Sequence, residues 1–392
     1  MDRSVIAGAV RTPIGSFQGG LSSLKSTQLG SIVIREALSR ADIQPVKVNE
    51  VVMGCVLAAG LGQNPARQAA IGAGIPVEVG AVTVNKVCSS GLYAVMMADM
   101  LIRTGRRDVV VAGGMESMSG APYLLPEARG GLRMGDKRVV DSMIVDGLWD
   151  AFTDQHMGCC AELLAEKYDF TREMQDAFAE SSYRKALSAI ESGAFKEEIV
   201  AVPVPQKKGE PVIFDTDEEP ARVKFEKIPR LKASFKNQGT VTAANASSIS
   251  DGAAALVIMS EKRAKKEGIR PLATIVAHAT HSQEPEWFTT APIGAARQAL
   301  KEAGLDVGDI DLFEINEAFS GVTLAAIKTL NIDESKVNIH GGAVALGHPI
   351  GASGARILVT LLYALKQRGG KRGLAVLCNG GGEATSIIIE RS

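Results

Sequence analysis

Two distant stretches of this chain repeat one pattern of small residues, helix and strand. Ser89-Ser90-Gly91 precedes an apolar helical stretch that closes on Arg103-Thr104-Gly105, and residues 108–112 then run as an apolar strand into Gly113-Gly114. Ala352-Ser353-Gly354 precedes another such stretch closing on Arg368-Gly369-Gly370, and residues 373–377 run into Cys378-Asn379-Gly380-Gly381. Gly354 follows Gly91 by 263 positions, and Gly369 follows Gly105 by 264. Upstream, residues 37–43 and then 51–54 match residues 299–305 and then 311–314, each reading as a helix end, a loop and a buried strand. Self-similarity at a nearly fixed offset marks a duplicated unit. Alternating helix and strand place that unit in the α/β class, and 392 residues leave room for it at roughly 150 residues per domain.

The texture changes between the copies. Residues 119–249 are punctuated by Pro and Gly, as in Gly120-Ala121-Pro122 and Pro203-Val204-Pro205, and contain one clear helix over Arg172–Ser192. Met174, Phe178, Tyr183, Leu187 and Ile190 are expected on its buried face. The apolar run at residues 253–259 then reads as a strand returning to the first copy. The expected organisation is a first core domain of residues 1–118 plus 250–270, an inserted loop domain of residues 119–249 laid over the site, and a second core domain of residues 271–392.

Charge excludes some partners. Lys+Arg number 43 against 44 Asp+Glu, so there is no electrostatic reason to expect nucleic acid or an anionic membrane. The apolar residues after Ser4 are interrupted at Arg11, too soon for a signal peptide, no 18-residue apolar run follows, and the last three residues carry no common address. A soluble cytoplasmic protein is expected. Five cysteines in a chain this long do not make a disulfide scaffold, so each is either core or a reactive thiol.

Cys88 stands where a strand gives way to a helix rich in Ala and Met. Free N–H groups at a helix start favour a thiolate and would depress its pKa, which suits a nucleophile; a buried structural cysteine is the alternative. Cys378 holds the matching place in the second copy. The glycines after Asn379 allow close backbone approach, so Gly380 could supply an oxyanion-hole N–H or simply a tight turn. His348 is the single imidazole in a Gly-rich loop, residues 341–354, that comes before a helix. Asn316 and Glu317 follow a buried strand at residues 310–315, where open α/β sheets place ligand groups; a helix cap at Asn316 is the other reading. Cys159-Cys160 is not a CxxC pair, Cys55 reads as core, and His278 and His281 lack zinc spacing, so no metal is expected.

With these motifs, and with residues 6–15, 85–91, 113–119, 156–158, 245–247, 316–319 and the His348 loop, the chain resembles the thiolase family, and within it the biosynthetic branch. The resemblance runs from Ile6 to the Cys378 loop. It implies a thiolase fold: duplicated βαβαβαββ core domains in a five-layer αβαβα arrangement with an inserted loop domain, assembled as a homotetramer, a dimer of dimers. It implies acetyl-CoA C-acetyltransferase activity, the reversible condensation of two acetyl-CoA to acetoacetyl-CoA and coenzyme A (CoA) through an acetyl-cysteine. No permanently bound cofactor is expected; CoA and acetyl-CoA act as substrates. By the resemblance Cys88 takes the acyl group, His348 activates it, Cys378 is the acid/base at the substrate α-carbon, Asn316 holds a water, and the N–H groups of Cys88 and Gly380 form an oxyanion hole. His156, Met157, Phe235, Ala243, Ser247, Ala318 and Phe319 would line the CoA channel, with Arg222 the choice for an adenine or phosphate contact, Lys224 and Lys227 as rivals. Phe288 stands where the branch commonly has Met near the acyl group, which leaves chain length open between an acetyl-specific enzyme and a broad degradative 3-ketoacyl-CoA thiolase. A non-catalytic acyl-CoA binder is the non-enzyme alternative.

Overall fold

The computed structural model describes residues 3–392. In the first half the chain runs β1 (Ser4–Arg11), α1 (Ser26–Arg40), β2 (Glu50–Gly54), α2 (Pro65–Gly72), β3 (Gly80–Val84), α3 (Ser90–Arg103) and β4 (Val109–Ser117). A long excursion carrying α4 (Met157–Tyr168) and α5 (Arg172–Ser192) follows, before β5 (Ser250–Ser260) and α6 (Glu261–Glu267). The second half runs β6 (Ala273–Ser282), α7 (Ala291–Ala303), β7 (Leu312–Ile315), α8 (Ser320–Leu330), α9 (Ala343–Leu346), α10 (Ile350–Arg368), β8 (Arg372–Asn379) and β9 (Glu383–Arg391).

The repeat seen in the sequence reappears as strand order. The first-half strands lie in the order β3-β2-β4-β5-β1 and the second-half strands in the order β7-β8-β9-β6. In both, two neighbours are parallel (β2 with β4, β7 with β8) and the next two pairings are antiparallel. The second-half counterpart of β3 shrinks to one parallel bridge between Phe313 and Val337. The halves are also joined directly, since Val5 and Ile6 of β1 pair with Thr274 and Ala273 of β6.

Helices α3 and α10 form the middle layer. Leu92 and Val95 of α3 and Leu358 and Leu361 of α10 share a core with Val110 and Leu256 of the first half and with Leu377 and Ile387 of the second. Helices α1 and α2 cover the outer face of the first-half strands, and α7 covers that of the second. Each buried Leu or Ile contributes about 1.5–3 kcal/mol. Sandwiched between two sets of strands, α10 is buried almost all round from Ile350 to Leu362, as an apolar helix in an interior layer must be. The middle layer closes up through glycine: a Cβ on Gly114 would stand 2.1 Å from the carbonyl oxygen of Gly351.

Helix α5 forms as expected, opened by Thr171, whose hydroxyl accepts from the Met174 N–H, and closed by Gly193 in a left-handed turn. Its buried face differs from expectation. Met174 is 45% exposed, and the buried stripe runs through Gln175, Phe178, Ser182, Tyr183 and Ala186. Polar side chains occupy the middle of that stripe because they are satisfied there: Gln175 donates to Thr240 Oγ1 at 2.8 Å and Ser182 to Glu317 Oε2 at 2.7 Å. No helix among the described residues is long and apolar enough to cross a membrane.

Candidate active site

The close meeting of α3 and α10 brings two loops together. Cys88 and His348 each stand two positions before their helix, α3 and α10 respectively. Before Cys88 the backbone is strained: Val87 has φ +46°, a region that β-branched residues avoid. That turn is held because Ser90 Oγ accepts from the Lys86 N–H at 2.8 Å and donates to the Val87 carbonyl at 2.6 Å.

His348 enters after Gly347, whose φ of +105° and whose missing Cβ, 2.2 Å from Ser250 Oγ if present, admit only glycine. Ser353, in the first turn of α10, donates its hydroxyl to the Pro349 carbonyl at 2.9 Å and so accepts from His348 Nδ1 at 2.6 Å. That assignment leaves the Nε2 lone pair facing the Asn316 amide, whose Nδ2 lies at 3.4 Å. Asn316 extends β7 by donating its backbone N–H to the Val376 carbonyl at 3.0 Å. It does not cap a helix, because α8 starts only at Ser320 with Phe319 at its N-cap. Its Oδ1 is buried without a protein partner and can accept from a water or a substrate donor.

Cys88, His348 and Cys378 line one cavity of about 450 Å³. His156 and Met157, at the start of α4, form one wall; the His156 ring accepts the Gly158 N–H at 3.0 Å and stacks on Phe235 with centroids 4.7 Å apart. Ala243, Ser247, Ala318 and Phe319 complete the channel, and Phe288, 2% exposed and packed in one apolar cluster with Cys378, lines it too. Gly380 comes from the second half against the turn before Cys88, where a Cβ on it would stand 3.7 Å from Val87 Cγ1, and its N–H draws the Cys88 thiol pKa down. Arg222 is not brought to this cavity. It ends a short 3-10 turn, is exposed, and turns to Glu218 at 4.0 Å, while its neighbour Glu219 faces the cavity instead; Lys224 and Lys227 do not line it either.

The protonation states correct one expectation. Burial pushes the Cys88 thiol up to about 12, against the pull of the Gly380 and Cys88 N–H groups. Desolvation therefore outweighs the helix-start effect, and the resting group is a thiol. Burial also raises Cys378, further than Cys88. His348 is held down to about 3, by burial first and by the Arg356 charge second. The cavity thus presents two neutral thiols and a neutral imidazole whose free nitrogen can take a proton.

Two buried carboxylates fix the site's loops, Glu116, which reading the sequence missed, and Glu317, which it singled out beside Asn316 without this role. Glu116 accepts from the N–H groups of Val56, Leu57 and Gly351 at 3.0, 3.2 and 2.8 Å, tying the loop after β2 to the start of α10. Burial moves it up to about 7. Its signal was visible as one carboxylate inside an otherwise apolar strand. Glu317 faces away from the cavity and braces the His348 loop, accepting from Ser182, Asn338 and the Val344 N–H. Ser353 and Ser248, the latter also lining the cavity, gave no signal beyond their proximity in sequence to His348 and Ser247. Cys55, Cys159 and Cys160 are free thiols outside this cavity, His278 bonds Asp99 at 3.0 Å, and no group of three or more His, Cys, Asp or Glu among the described residues is placed to hold a metal.

Comparison with known proteins gives this architecture a family. Residues 4–262 match the thiolase N-terminal domain and residues 269–391 the thiolase C-terminal domain. An acetyl-CoA acetyltransferase of Pseudomonas aeruginosa is 52% identical over 392 residues, covering 100% of both chains. Acetyl-CoA acetyltransferase 2 of Arabidopsis thaliana is 54% identical over 387 residues, 98% of this chain and 96% of the relative. Among solved structures, the Acat5 thiolase from Ascaris suum in complex with coenzyme A superposes with a TM-score of 0.95 at 47% identity, covering 100% of each chain. Strand order repeated in both halves, a shared middle layer and matches along the whole length agree: the chain belongs to the thiolase family.

Proposed function

We propose that this thiolase is an acetyl-CoA C-acetyltransferase, joining two acetyl-CoA into acetoacetyl-CoA and CoA and running the reverse thiolysis. The observation that carries the reading is the convergence of Cys88, Cys378 and His348 on one cavity that Phe288 also lines. Relatives named as acetyl-CoA acetyltransferases and a thiolase solved with coenzyme A support the substrate class.

The steps follow from the protonation states. Cys88 attacks the thioester carbonyl as its proton passes to His348 Nε2, and the carbonyl oxygen is met by the N–H groups of Cys88 and Gly380. CoA leaves, taking the proton of Cys378. The Cys378 thiolate then removes a proton from the methyl carbon of a second acetyl-CoA. The enolate oxygen is stabilised by the His348 imidazolium and by a water on Asn316, whose buried Oδ1 is free to accept. Carbon attack on acetyl-Cys88 forms the new C–C bond, and the Cys88 thiolate recovers its proton from His348, so both thiols are restored.

The test is kcat/KM for thiolysis of acetoacetyl-CoA against 3-ketooctanoyl-CoA on one preparation. Strong preference for the C4 substrate is expected; equal or better C8 cleavage would replace this reading by a broad degradative one. The proposal extends to the three-domain division at residues 118/119, 249/250 and 270/271, to a cytoplasmic location and to a tetramer. Tyr123, Leu132 and Met134, exposed at 69%, 51% and 90% on the inserted region, are apolar surface that a second copy could cover.

A further inference from the structure

We infer that Ser89, Asn379 and Thr385 are positioning residues for acyl transfer, a relay of hydrogen bonds that sets the Gly380 N–H against the Cys88 sulfur. The inference rests on the proposed reading of Cys88 as acyl acceptor. An oxyanion hole that takes one N–H from each half of the molecule works only if the two loops are in register to a few tenths of an ångström. The far end of the Gly380 loop is held by backbone, the Gly382 carbonyl accepting from the Gln283 N–H at 2.9 Å. Gly381 and Gly382, at φ +87° and +80°, offer no side chains to wedge it in place.

Polar side chains supply what packing does not. Thr385 Oγ1 on β9 donates to Ser89 Oγ at 2.9 Å, and Ser89 Oγ donates to Asn379 Oδ1 at 2.6 Å. Asn379 Nδ2 donates in turn to the Gly380 carbonyl at 3.0 Å and, more weakly, to Glu383 Oε2 at 3.3 Å. With each hydroxyl spending its one proton in this sequence, the amide orientation of Asn379 is fixed. All three residues are buried, at 0%, 1% and 0% exposure. Ser89 is the residue after Cys88, and Asn379 lies between Cys378 and Gly380, so the relay joins the two reactive loops beside the reacting atoms. A second tie on the other side of Cys88, Lys86 Nζ to Glu383 Oε2 at 2.6 Å, keeps the loops from pivoting about the first. Such bonds contribute little net stability each; what they supply is direction.

The experiment measures kcat and KM for acetoacetyl-CoA thiolysis, with the thermal midpoint, for Asn379→Leu, Ser89→Ala, their double variant, Thr385→Val and Thr385→Ser. Deleting an oxyanion-hole donor outright costs about 10²–10³ in kcat; loosening one is expected to cost about tenfold to a hundredfold, with KM within about twofold. Thr385→Val, nearly isosteric, should lose kcat, and Thr385→Ser, which keeps the donor, should recover most of it. The double variant should be no slower than Asn379→Leu alone, because both break one relay. Unchanged kcat in Thr385→Val, loss that merely tracks the thermal midpoint, or additive losses in the double variant would each overturn the inference. A wild-type enzyme without thiolase activity would instead sink the functional reading beneath it.

Discussion

Replacing Gly354 by Ala should damage this protein although the position lies inside a helix, where the same change ordinarily stabilises by about 0.5–1 kcal/mol. A Cβ at Gly354 would stand 2.5 Å from the Leu92 backbone nitrogen and 2.7 Å from its Cβ, whereas ordinary contact begins at 3.4 Å. Backbone cannot rotate aside, so α10 and α3 must separate by about 1 Å, and overpacking of this kind costs about 1–3 kcal/mol. The helices carry His348 and Cys88 at their adjacent ends, and misplacing reacting groups by about 1 Å costs about 10²-fold in rate. The assay is the burst of Cys88 acetylation by acetyl-CoA together with the thermal midpoint. A slower burst and a lower midpoint are expected. A variant of raised midpoint and normal burst would refute the claim that glycine contact between these helices sets the distance between thiol and imidazole.

Because His348 stays neutral down to about pH 3, kcat/KM should show no acid limb from imidazole protonation between about pH 5 and 8; an inflection near 6.5 that vanishes in His348→Asn would contradict this. The same depression favours the folded state above the unfolded pKa of 6.5, and that stability is lost as pH falls from there toward 3. Glu116→Gln puts an amide NH₂ against backbone N–H donors and should cost about 1–3 kcal/mol. Since burial raises Glu116 from 4.5 to about 7, the wild type loses this group's contribution as pH rises through that window, so the gap in midpoint between wild type and variant should narrow with rising pH; a constant gap would show the carboxyl is not titrating. Phe288→Ala should raise the ratio of C8 to C4 thiolysis about tenfold or more and cost about 3–5 kcal/mol; an unchanged ratio would remove Phe288 from the acyl pocket.

What the sequence made legible was spacing. A fixed offset between small-residue motifs announced the duplication, and Cys88, His348 and Cys378 stood out because Gly or Ser flank them where elements end or begin. The direct β1–β6 pairing was not legible, since strand partners far apart in sequence leave no local pattern. Burial hid the rest. Nothing near Cys88 announces how far the packing around this half-buried thiol raises its pKa, so a helix start read as a thiolate site. The polar stripe of α5 concealed its buried face because Gln175 and Ser182 find their partners only in the folded chain. Arg222 ends a 3-10 turn, exposed and 4.0 Å from Glu218 outside the cavity lining, so its contact with the adenine or phosphate of CoA stands as a proposal. Ser353 became readable only once α10 placed its hydroxyl under the His348 ring.

The most direct test of the account is to incubate wild type, Cys88→Ala and Cys378→Ala with radiolabelled acetyl-CoA and locate the label by peptide mapping. Label on Cys88 in wild type and in Cys378→Ala, none in Cys88→Ala, and no condensation by Cys378→Ala is the predicted result. Label on Cys378 or Cys160, or acetoacetyl-CoA formed by Cys378→Ala, would contradict the division of labour between the two thiols.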